Sequence, residues 1–249
     1  MGKRPRREVV GLNLMQIQVL ADLKGMFIRR YKRFFADIKI YDGSELTVHC
    51  PNPGSMRDLL RERAPVWCTT SKNPKRKLKH TLEMVEVGNV WVGLHALRAN
   101  KIAKCILENN FLESLSGYHE LRSEVRVGEN SRLDFVLSGN LVDSRIMYVE
   151  VKSVTMSSRN KALFPDSVTR RGKKHVELLS DLSREGNRAV LMFIIQRSDC
   201  DVFSIADDID PNYGKSLRKA VDNGVEVFAI RTNVTPSAIR VDSPIRVEF

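Results

Sequence analysis

The chain has 249 residues, of which 42% are hydrophobic, and carries a formal net charge of +11. This length is enough for one large domain or two small ones with a buried core, and the absence of a run of about 18 apolar residues excludes an ordinary membrane helix. Because there is no apolar signal segment and the four scattered cysteines form no C-x-x-C pair, we expect a cytoplasmic protein without disulfides, structural zinc or membrane contact.

Positive charge is concentrated in the first part of the chain. Residues 1–95 hold 18 Lys/Arg against 9 Asp/Glu, whereas residues 96–249 hold 23 against 21. This asymmetry indicates a basic module for a polyanion, joined to a nearly neutral module. We therefore predict a basic N-terminal tail and lead-in segment at 1–26, a nucleic-acid-binding domain at 27–95 and a second domain at 96–249.

The region from residue 27 to residue 95 has the pattern of a small barrel. Five short segments are rich in β-branched and aromatic residues, and Asp42-Gly43 forms a turn between the first two. Ser55 and Asp58 have the spacing of a capping box, which predicts a short helical turn. Five strands and one short helix predict an OB-like β-barrel. The predicted strands cover residues 34–40, 45–50, 65–70, 81–87 and 90–94.

Two basic clusters lie in this barrel region. One interleaves cations with Tyr and Phe, and the other forms a loop between two predicted strands. Lys and Arg contact phosphates without sequence preference, and aromatic rings stack on bases. One such cluster alone is commonly a solvated loop, but two in one basic module predict binding of DNA, with RNA as the alternative. The predicted nucleic-acid-binding residues are Arg29, Arg30, Lys32, Arg33, Lys72, Lys75, Arg76 and Lys77.

The second part of the chain has an alternating helix and strand pattern. Its first segment has helical apolar spacing, and one later segment is a continuous apolar run typical of a strand buried on both faces. The order α-β-β-β-α-β, followed by a helix and a strand, predicts an α/β layer fold. The predicted helices cover 99–108, 169–186 and 211–223, and the predicted strands cover 120–127, 132–138, 146–154, 189–195 and 225–230.

Asp134, Glu150 and Lys152 are the strongest candidate site of the chain. Glu150 and Lys152 share one face of a predicted strand, and hairpin pairing with the preceding strand brings Asp134 beside Glu150. Two neighbouring carboxylates favour a divalent cation, and hard oxygen ligands suit Mg²⁺ or Mn²⁺. With a lysine to orient water, this arrangement is typical of metal-dependent phosphodiester hydrolysis. The alternative is a Lys–Glu pair on an exposed strand face, with Asp134 as a bystander.

Four further residues are secondary candidates. Glu124 lies on the charged face of its strand, so a solvent-facing ion pair is favoured over a role as a third acidic ligand. Lys174 and His175 lie on the helix that follows the candidate strand. Lys174 is a candidate contact for the scissile phosphate, and His175 is expected to pack or to face solvent. Asp166 is expected to cap that helix, with the metal pocket as the alternative.

The order of elements and the D…E-x-K spacing resemble the PD-(D/E)xK nuclease core. The chain also resembles, almost from end to end, the sugar fermentation stimulation protein A (SfsA) family. The motifs that carry this resemblance are His49-Cys50-Pro51-Asn52-Pro53-Gly54-Ser55-Met56, Asn73-Pro74-Lys75-Arg76-Lys77, Ser131-Arg132-Leu133-Asp134-Phe135, Tyr148-Val149-Glu150-Val151-Lys152-Ser153-Val154-Thr155, Phe164-Pro165-Asp166 and Arg171-Gly172-Lys173-Lys174-His175.

The resemblance implies an N-terminal OB-fold, a PD-(D/E)xK-like second domain, and DNA binding with little sequence preference, with a regulatory link to sugar metabolism. One departure is visible at the predicted domain junction. The family commonly carries Asn-Thr after its Val-Gly-Val strand, whereas this chain reads Gly93-Leu94-His95-Ala96. Two functions therefore remain open: a DNA-binding regulator with a nuclease-like metal site, and a Mg²⁺- or Mn²⁺-dependent nuclease acting on DNA or RNA. The oligomeric state stays undetermined.

Overall fold

The computed structural model describes residues 15–56, 59–128 and 131–249, which form two β-sheets and three α-helices within those ranges. The predicted basic tail around residues 3–7 and the Asp58 end of the predicted capping box lie outside them. None of the helices in the described part of the chain is both long and apolar enough to cross a membrane.

The first sheet closes into a barrel. Its strands follow a short strand β1 (Gln16–Gln18) that belongs to the other sheet. They are β2 (Leu23–Tyr31), β3 (Phe35–Ile40), β4 (Glu45–His49), β5 (Pro65–Thr70), β6 (His80–Val87) and β7 (Val90–Gly93). The order is β4-β3-β2-β5-β6-β7, and a pairing of His49 with Thr81 joins β4 to β6, which closes the five strands β2–β6. Alternate residues such as Ile38, Val48 and Leu82 are fully buried and fill the interior.

Strand β2 differs from the sequence-based prediction. It begins at Leu23, within the predicted lead-in segment, and it contains part of the first basic cluster. Gly25 permits close packing there, because a Cβ at that position would lie 2.9 Å from the carbonyl oxygen of Lys39. The register shifts between Phe27 and Arg29, which interrupts the alternation that would have revealed the strand.

The second sheet is formed by the rest of the chain. Its elements are α1 (Leu97–Glu108), β8 (Glu120–Val127), β9 (Ser131–Ser138), β10 (Met147–Val154), β11 (Ser157–Ser158), β12 (Lys161–Phe164), α2 (Arg170–Arg184), β13 (Arg188–Ile195), β14 (Val202–Ile205), α3 (Pro211–Asp222), β15 (Glu226–Val234) and β16 (Ala238–Glu248). The order is β11-β12-β14-β16-β15-β13-β10-β9-β8, with β1 paired to β16. Strands β8, β9 and β10 are antiparallel, and β13 and β15 continue the sheet in parallel, as the α-β-β-β-α-β order predicts. Strands β11, β12, β14 and β16 were not predicted.

Helices cover both faces of this sheet. Helix α1 packs with Val190, Met192 and Ile194 of β13 on one face. Helices α2 and α3 pack on the other face, in a core that includes Leu191 and Phe193 of the same strand. Strand β13 is therefore buried on both faces, as its continuous apolar sequence predicts.

The barrel and the α/β layers are joined by direct contacts. Arg98 at the start of α1 donates two hydrogen bonds to the buried carboxylate of Glu83 in β6. The backbone N–H of Gly93 donates to the carbonyl of Gln196, and a Cβ at Gly93 would lie 2.7 Å from the amide oxygen of Gln196. Only glycine fits at this junction without displacing Gln196, and the barrel is therefore positioned against the end of β13.

Candidate active site

Asp134 and Glu150 face each other across paired strands. Val149 in β10 pairs with Phe135 in β9, so the next residues along the two strands, Glu150 and Asp134, lie side by side. The Asp134 carboxylate accepts a hydrogen bond from the backbone N–H of Val151 at 2.7 Å. Its other oxygen accepts from the amide of Asn100 in α1 at 2.6 Å. The predicted juxtaposition of the two carboxylates is therefore present.

Glu150 is buried, and its two oxygens have different surroundings. Lys152 donates to Oε1 at 2.6 Å, and Nδ1 of His175 contacts the same oxygen. Oε2 is shielded from solvent and has no hydrogen-bond partner among the described residues. A buried carboxylate oxygen without a donor is costly, so this atom is a candidate ligand position.

The two carboxyl groups have opposite pKa shifts. Burial and the nearby charge of Glu150 raise the pKa of Asp134 to about 6, against the hydrogen bond from the Val151 N–H. Burial also acts to raise the pKa of Glu150, but the hydrogen bond from His175 and the charge of Lys152 outweigh it and hold that pKa below its ordinary value. Asp134 is therefore less completely neutralised than Glu150.

His175 is buried, as the packing alternative predicts, and it contacts Glu150 rather than facing solvent. Thr169 caps α2 by accepting from the Gly172 N–H, and this fixes the first turns of the helix against the sheet. The guanidinium of Arg171 lies 3.5 Å from Nε2 of His175. A neutral imidazole that donates from Nδ1 to Glu150 presents Nε2 to Arg171 as an acceptor.

A cavity of about 480 Å³ opens above these groups, and the barrel forms one of its walls. Asn52, Pro53 and Gly54 line it from the loop that follows β4. Arg30 holds this loop by donating to the carbonyls of Asn52 at 2.8 Å and Gly54 at 3.0 Å. The site is therefore built by both parts of the chain.

Asp166 does not cap α2, since Thr169 does so. It instead contacts the barrel loop, because the Ser55 hydroxyl donates to the Asp166 carbonyl at 2.8 Å and the Met56 N–H donates to its carboxylate at 3.3 Å. A Cβ at Gly54 would lie 2.3 Å from an Asp166 carboxylate oxygen, so any other residue there would displace the Asp166 side chain. Asp166 also lines the cavity.

Glu124 lies at an irregular position of β8 and also lines the cavity. Its φ of 55° departs from strand geometry, and its side chain is exposed, 3.7 Å from Arg132. The predicted solvent-facing ion pair is thus present, with Arg132 as its partner.

The predicted nucleic-acid-binding residues fall into two groups. Four of them, all arginines, make side-chain hydrogen bonds within the barrel. Arg29 contacts Asp37, and Arg76 contacts Thr81 and His49. Arg30 and Arg33 donate to carbonyls of the loop after β4. The other four are exposed, and no partner for their ammonium groups occurs among the described residues. They are Lys32, Lys72, Lys75 and Lys77.

A second cavity of about 580 Å³ adjoins the first and shares Arg132, Arg171 and His175 with it. Cationic side chains from β8, β9 and α2 dominate its lining, and Lys174 is among them. Sequence reasoning identified Lys174 but missed the arginines around it.

Asn100 and Arg171 were also missed, although the sequence holds a signal for each. Asn100 interrupts the apolar spacing of α1 between Ala99 and Ala103 with a polar amide. Arg171 precedes His175 by four residues, which places both on one face of α2.

Similarity to known proteins covers most of the chain. The model of the SfsA N-terminal OB domain matches residues 28–94, and that of the Sugar fermentation stimulation protein RE domain matches residues 97–238. A sugar fermentation stimulation protein homolog of Maricaulis maris is 45% identical over 91% of this chain and 96% of its own length. A homolog of Geobacter sulfurreducens is 44% identical over 87% of this chain and 92% of its own length.

A solved structure has the same fold. The structure of Pyrococcus furiosus SfsA in complex with Ca²⁺ superposes with a TM-score of 0.83 at 24% identity, covering 94% of this chain and all of that one. The predicted architecture, an OB-like barrel followed by an α/β domain that matches the RE domain of the family, is confirmed. The chain belongs to the sugar fermentation stimulation protein family.

Proposed function

We propose that this protein binds DNA through its phosphates and hydrolyses a phosphodiester bond at Asp134, Glu150 and Lys152 with a divalent cation. The observation that carries the proposal is a pair of adjacent carboxylates in a cavity, one of them with a buried oxygen to which no described residue donates a hydrogen bond. A structural ion pair usually satisfies its buried oxygens, and two carboxylates held side by side with the pKa of one of them raised are typical of a cation site.

The donor set fits Mg²⁺ or Mn²⁺. Within the described ranges, no group of three or more His, Cys, Asp and Glu side chains converges on one point, so Asp134 and Glu150 would be the side-chain ligands. Mg²⁺ is characteristically held by one or two carboxylates together with water and substrate phosphate. The Ca²⁺ complex of the Pyrococcus furiosus relative supports a divalent cation here. When bound, the cation would lower the pKa of a coordinated water and stabilise negative charge on the phosphate.

The surrounding residues hold these groups in place. The Asn100 amide and the Val151 N–H orient the Asp134 carboxylate, and His175 orients that of Glu150. The Lys152 ammonium lies at the same edge of the cavity, where it can donate to the attacking water or to a phosphate oxygen. These contacts fix the geometry before substrate arrives, which is where most electrostatic catalysis originates.

A second candidate function is DNA binding without hydrolysis, as in a regulator linked to sugar metabolism. The exposed lysines of the barrel favour it, since Lys72, Lys75 and Lys77 offer charge to a phosphate backbone independently of the carboxylates. Both candidate functions predict DNA binding. They differ in whether Glu150 takes part in hydrolysis.

The deciding experiment measures cleavage of supercoiled plasmid and labelled single strands with Mn²⁺, Mg²⁺ or EDTA. We expect metal-dependent nicking by the wild type. In Glu150→Gln the nicking rate should fall at least about 100-fold, because the charged ligand carboxylate becomes a neutral amide. The matched control is Glu108→Ala, which removes an exposed carboxylate of α1 whose only ion pair within the described residues is to Lys104.

Each other outcome has a distinct meaning. Nicking that survives in Glu150→Gln would identify a contaminant or another site and would contradict the proposal. No DNA cleavage with intact DNA binding in both proteins would support the non-hydrolytic function. Cleavage confined to structured RNA in a parallel assay would replace DNA by RNA as the substrate.

A further inference from the structure

The second cavity concentrates positive charge beside the carboxylates. Its lining comes from β8, β9 and the first turns of α2, and it contains no acidic side chain among the described residues. Apart from Ser131, the lining residues are Arg126, Arg132, Arg170, Arg171, Lys174 and His175.

Within the part of the chain that the structure describes, few carboxylates offset the positive charge of this cavity. Among the described residues, no carboxylate forms a salt bridge with Arg126, Arg170, Arg171 or Lys174. Arg132 has one such partner, Glu124, at 3.7 Å and with both side chains more than half exposed. Exposed pairs of that kind contribute little. The cations therefore repel one another unless an anion lies between them.

The helix that supplies three of these cations points to the same conclusion. The first turn of α2 holds Arg170 and Arg171 and no acidic residue. Cations at a helix N-terminus oppose the helix dipole, whereas an anion there is stabilised by it. The position that is unfavourable for Arg170 and Arg171 alone becomes favourable when they enclose a phosphate, whose geometry matches the guanidinium fork.

The two cavities are adjacent, because Arg132, Arg171 and His175 line both of them. We propose that the cationic cavity binds a nucleic-acid phosphate next to the one held at the carboxylates, so that the strand is anchored at two phosphates. This inference rests on the proposed function for the location of the first phosphate. Two sources offer the same chemistry: an internal diester of a continuing strand, and a terminal phosphate at a strand end.

The test measures binding of a fluorescent single strand of about eight nucleotides in EDTA, where no metal-dependent cleavage occurs. The variant Arg126→Ala/Arg170→Ala removes two lining cations. The matched control, Arg122→Ala/Lys215→Ala, removes exposed cations from β8 and α3 that line neither cavity. We expect the variant to lower affinity at least tenfold and the salt slope by about 1.4, since each lost phosphate contact reduces the slope by about 0.7. The control should lose less than twofold in affinity.

Equal affinity and salt slope in the variant and the control would overturn the proposal. A thermal melt of both proteins confirms that each is folded. Strands with a 5′-phosphate, a 3′-phosphate or neither separate the two sources. A variant effect confined to one phosphorylated strand identifies a terminal phosphate, and an effect shared by all three identifies an internal diester.

The outcome is separable from that of the proposed function. If the wild type never cleaves but Arg126→Ala/Arg170→Ala still loses affinity relative to its control, hydrolysis is wrong and the phosphate cavity stands. If cleavage depends on Glu150 but this variant binds like its control, the cavity proposal alone fails.

Discussion

The buried carboxylates of the barrel and of the α/β domain are neutralised to different extents. In the barrel, Glu83 accepts two hydrogen bonds from Arg98, which comes from α1. Asp37 accepts from Arg29 at 2.8 Å and from Thr47 at 2.7 Å. Burial acts to raise the pKa of Asp37, but these donors outweigh it and hold that pKa below its ordinary value. Glu83 thereby joins β6 to α1, and Asp37 joins β3 to β2 and β4.

At the candidate site of the α/β domain the neutralisation is less complete. Asp134 has a pKa raised to about 6, and Glu150 retains a buried oxygen without a partner among the described residues. The protein thus pairs its acids completely where they hold structure, and leaves them incompletely paired where the cavity opens. This is the pattern expected when a site gives up stability in exchange for ligand binding.

The largest effect on stability should come from breaking the buried pair of Arg98 and Glu83. Arg98→Ala leaves the buried Glu83 carboxylate without its cation, because the two side chains are only 13% and 3% exposed. Removing one partner of a buried pair costs about 3–5 kcal/mol. Urea unfolding followed by circular dichroism measures this loss.

The matched control for that prediction is Lys104→Ala, on the same helix. Lys104 pairs with Glu108 at 3.5 Å, and both side chains are about half exposed, so the loss should be at most about 0.5 kcal/mol. A similar small loss for Arg98→Ala would show that Glu83 is not held by this pair, and the contrast between the two domains would disappear.

Replacing Asp134, the incompletely neutralised acid, should raise the stability rather than lower it. Without metal at pH 7, we expect Asp134→Asn to raise the free energy of unfolding by about 1–3 kcal/mol, since a pKa raised from 3.8 to about 6 is a cost to the charged form in the folded state. The Asn100 amide can turn over and accept from the new amide, so hydrogen bonding is retained. Chemical unfolding in EDTA measures the difference.

The pH dependence of this difference follows from the sign of the shift. Between pH 4 and 6 the folded state binds more protons at Asp134 than the unfolded state does, so the wild type loses stability as pH rises through this window. The advantage of Asp134→Asn should therefore be near zero at pH 4 and complete above about pH 6. A wild type more stable than the variant at pH 7 in EDTA would contradict the interpretation of Asp134 as incompletely neutralised.

The two acids of the candidate site could be predicted from the sequence, but the residues that surround them could not. Asp134, Glu150 and Lys152 could be predicted because strand alternation and one hairpin determine their relative positions. The contact of His175 with Glu150 depends on how α2 packs against the sheet, which periodicity within α2 does not determine. Asn100 likewise reaches Asp134 only through the tertiary packing of α1.

Two of the strands that escaped prediction did so for different reasons. Strand β2 contains a register shift and a buried Gly25, both of which weaken the alternation of apolar residues. Strand β16 does alternate apolar with charged residues around Ile239 and Val241, which is the pattern of a half-exposed strand, and Pro244 interrupts it. Its pairing with β14 and β1 is distant in sequence, so those two contacts could not be predicted from the pattern of β16 alone.

The smallest effect on stability should come from the exposed cations of the barrel. Replacing Lys72, Lys75 and Lys77 together by alanine removes charges that have no partner among the described residues, so unfolding should change by at most about 0.5 kcal/mol. The slope of DNA affinity against salt concentration should nevertheless fall by about 2–3, because each phosphate contact contributes about 0.7–0.9. Titration of labelled single and double strands at several salt concentrations measures this slope. The matched control replaces the exposed Lys104, Lys215 and Lys219, and equal slopes for the two triple variants would remove the loop from the DNA interface.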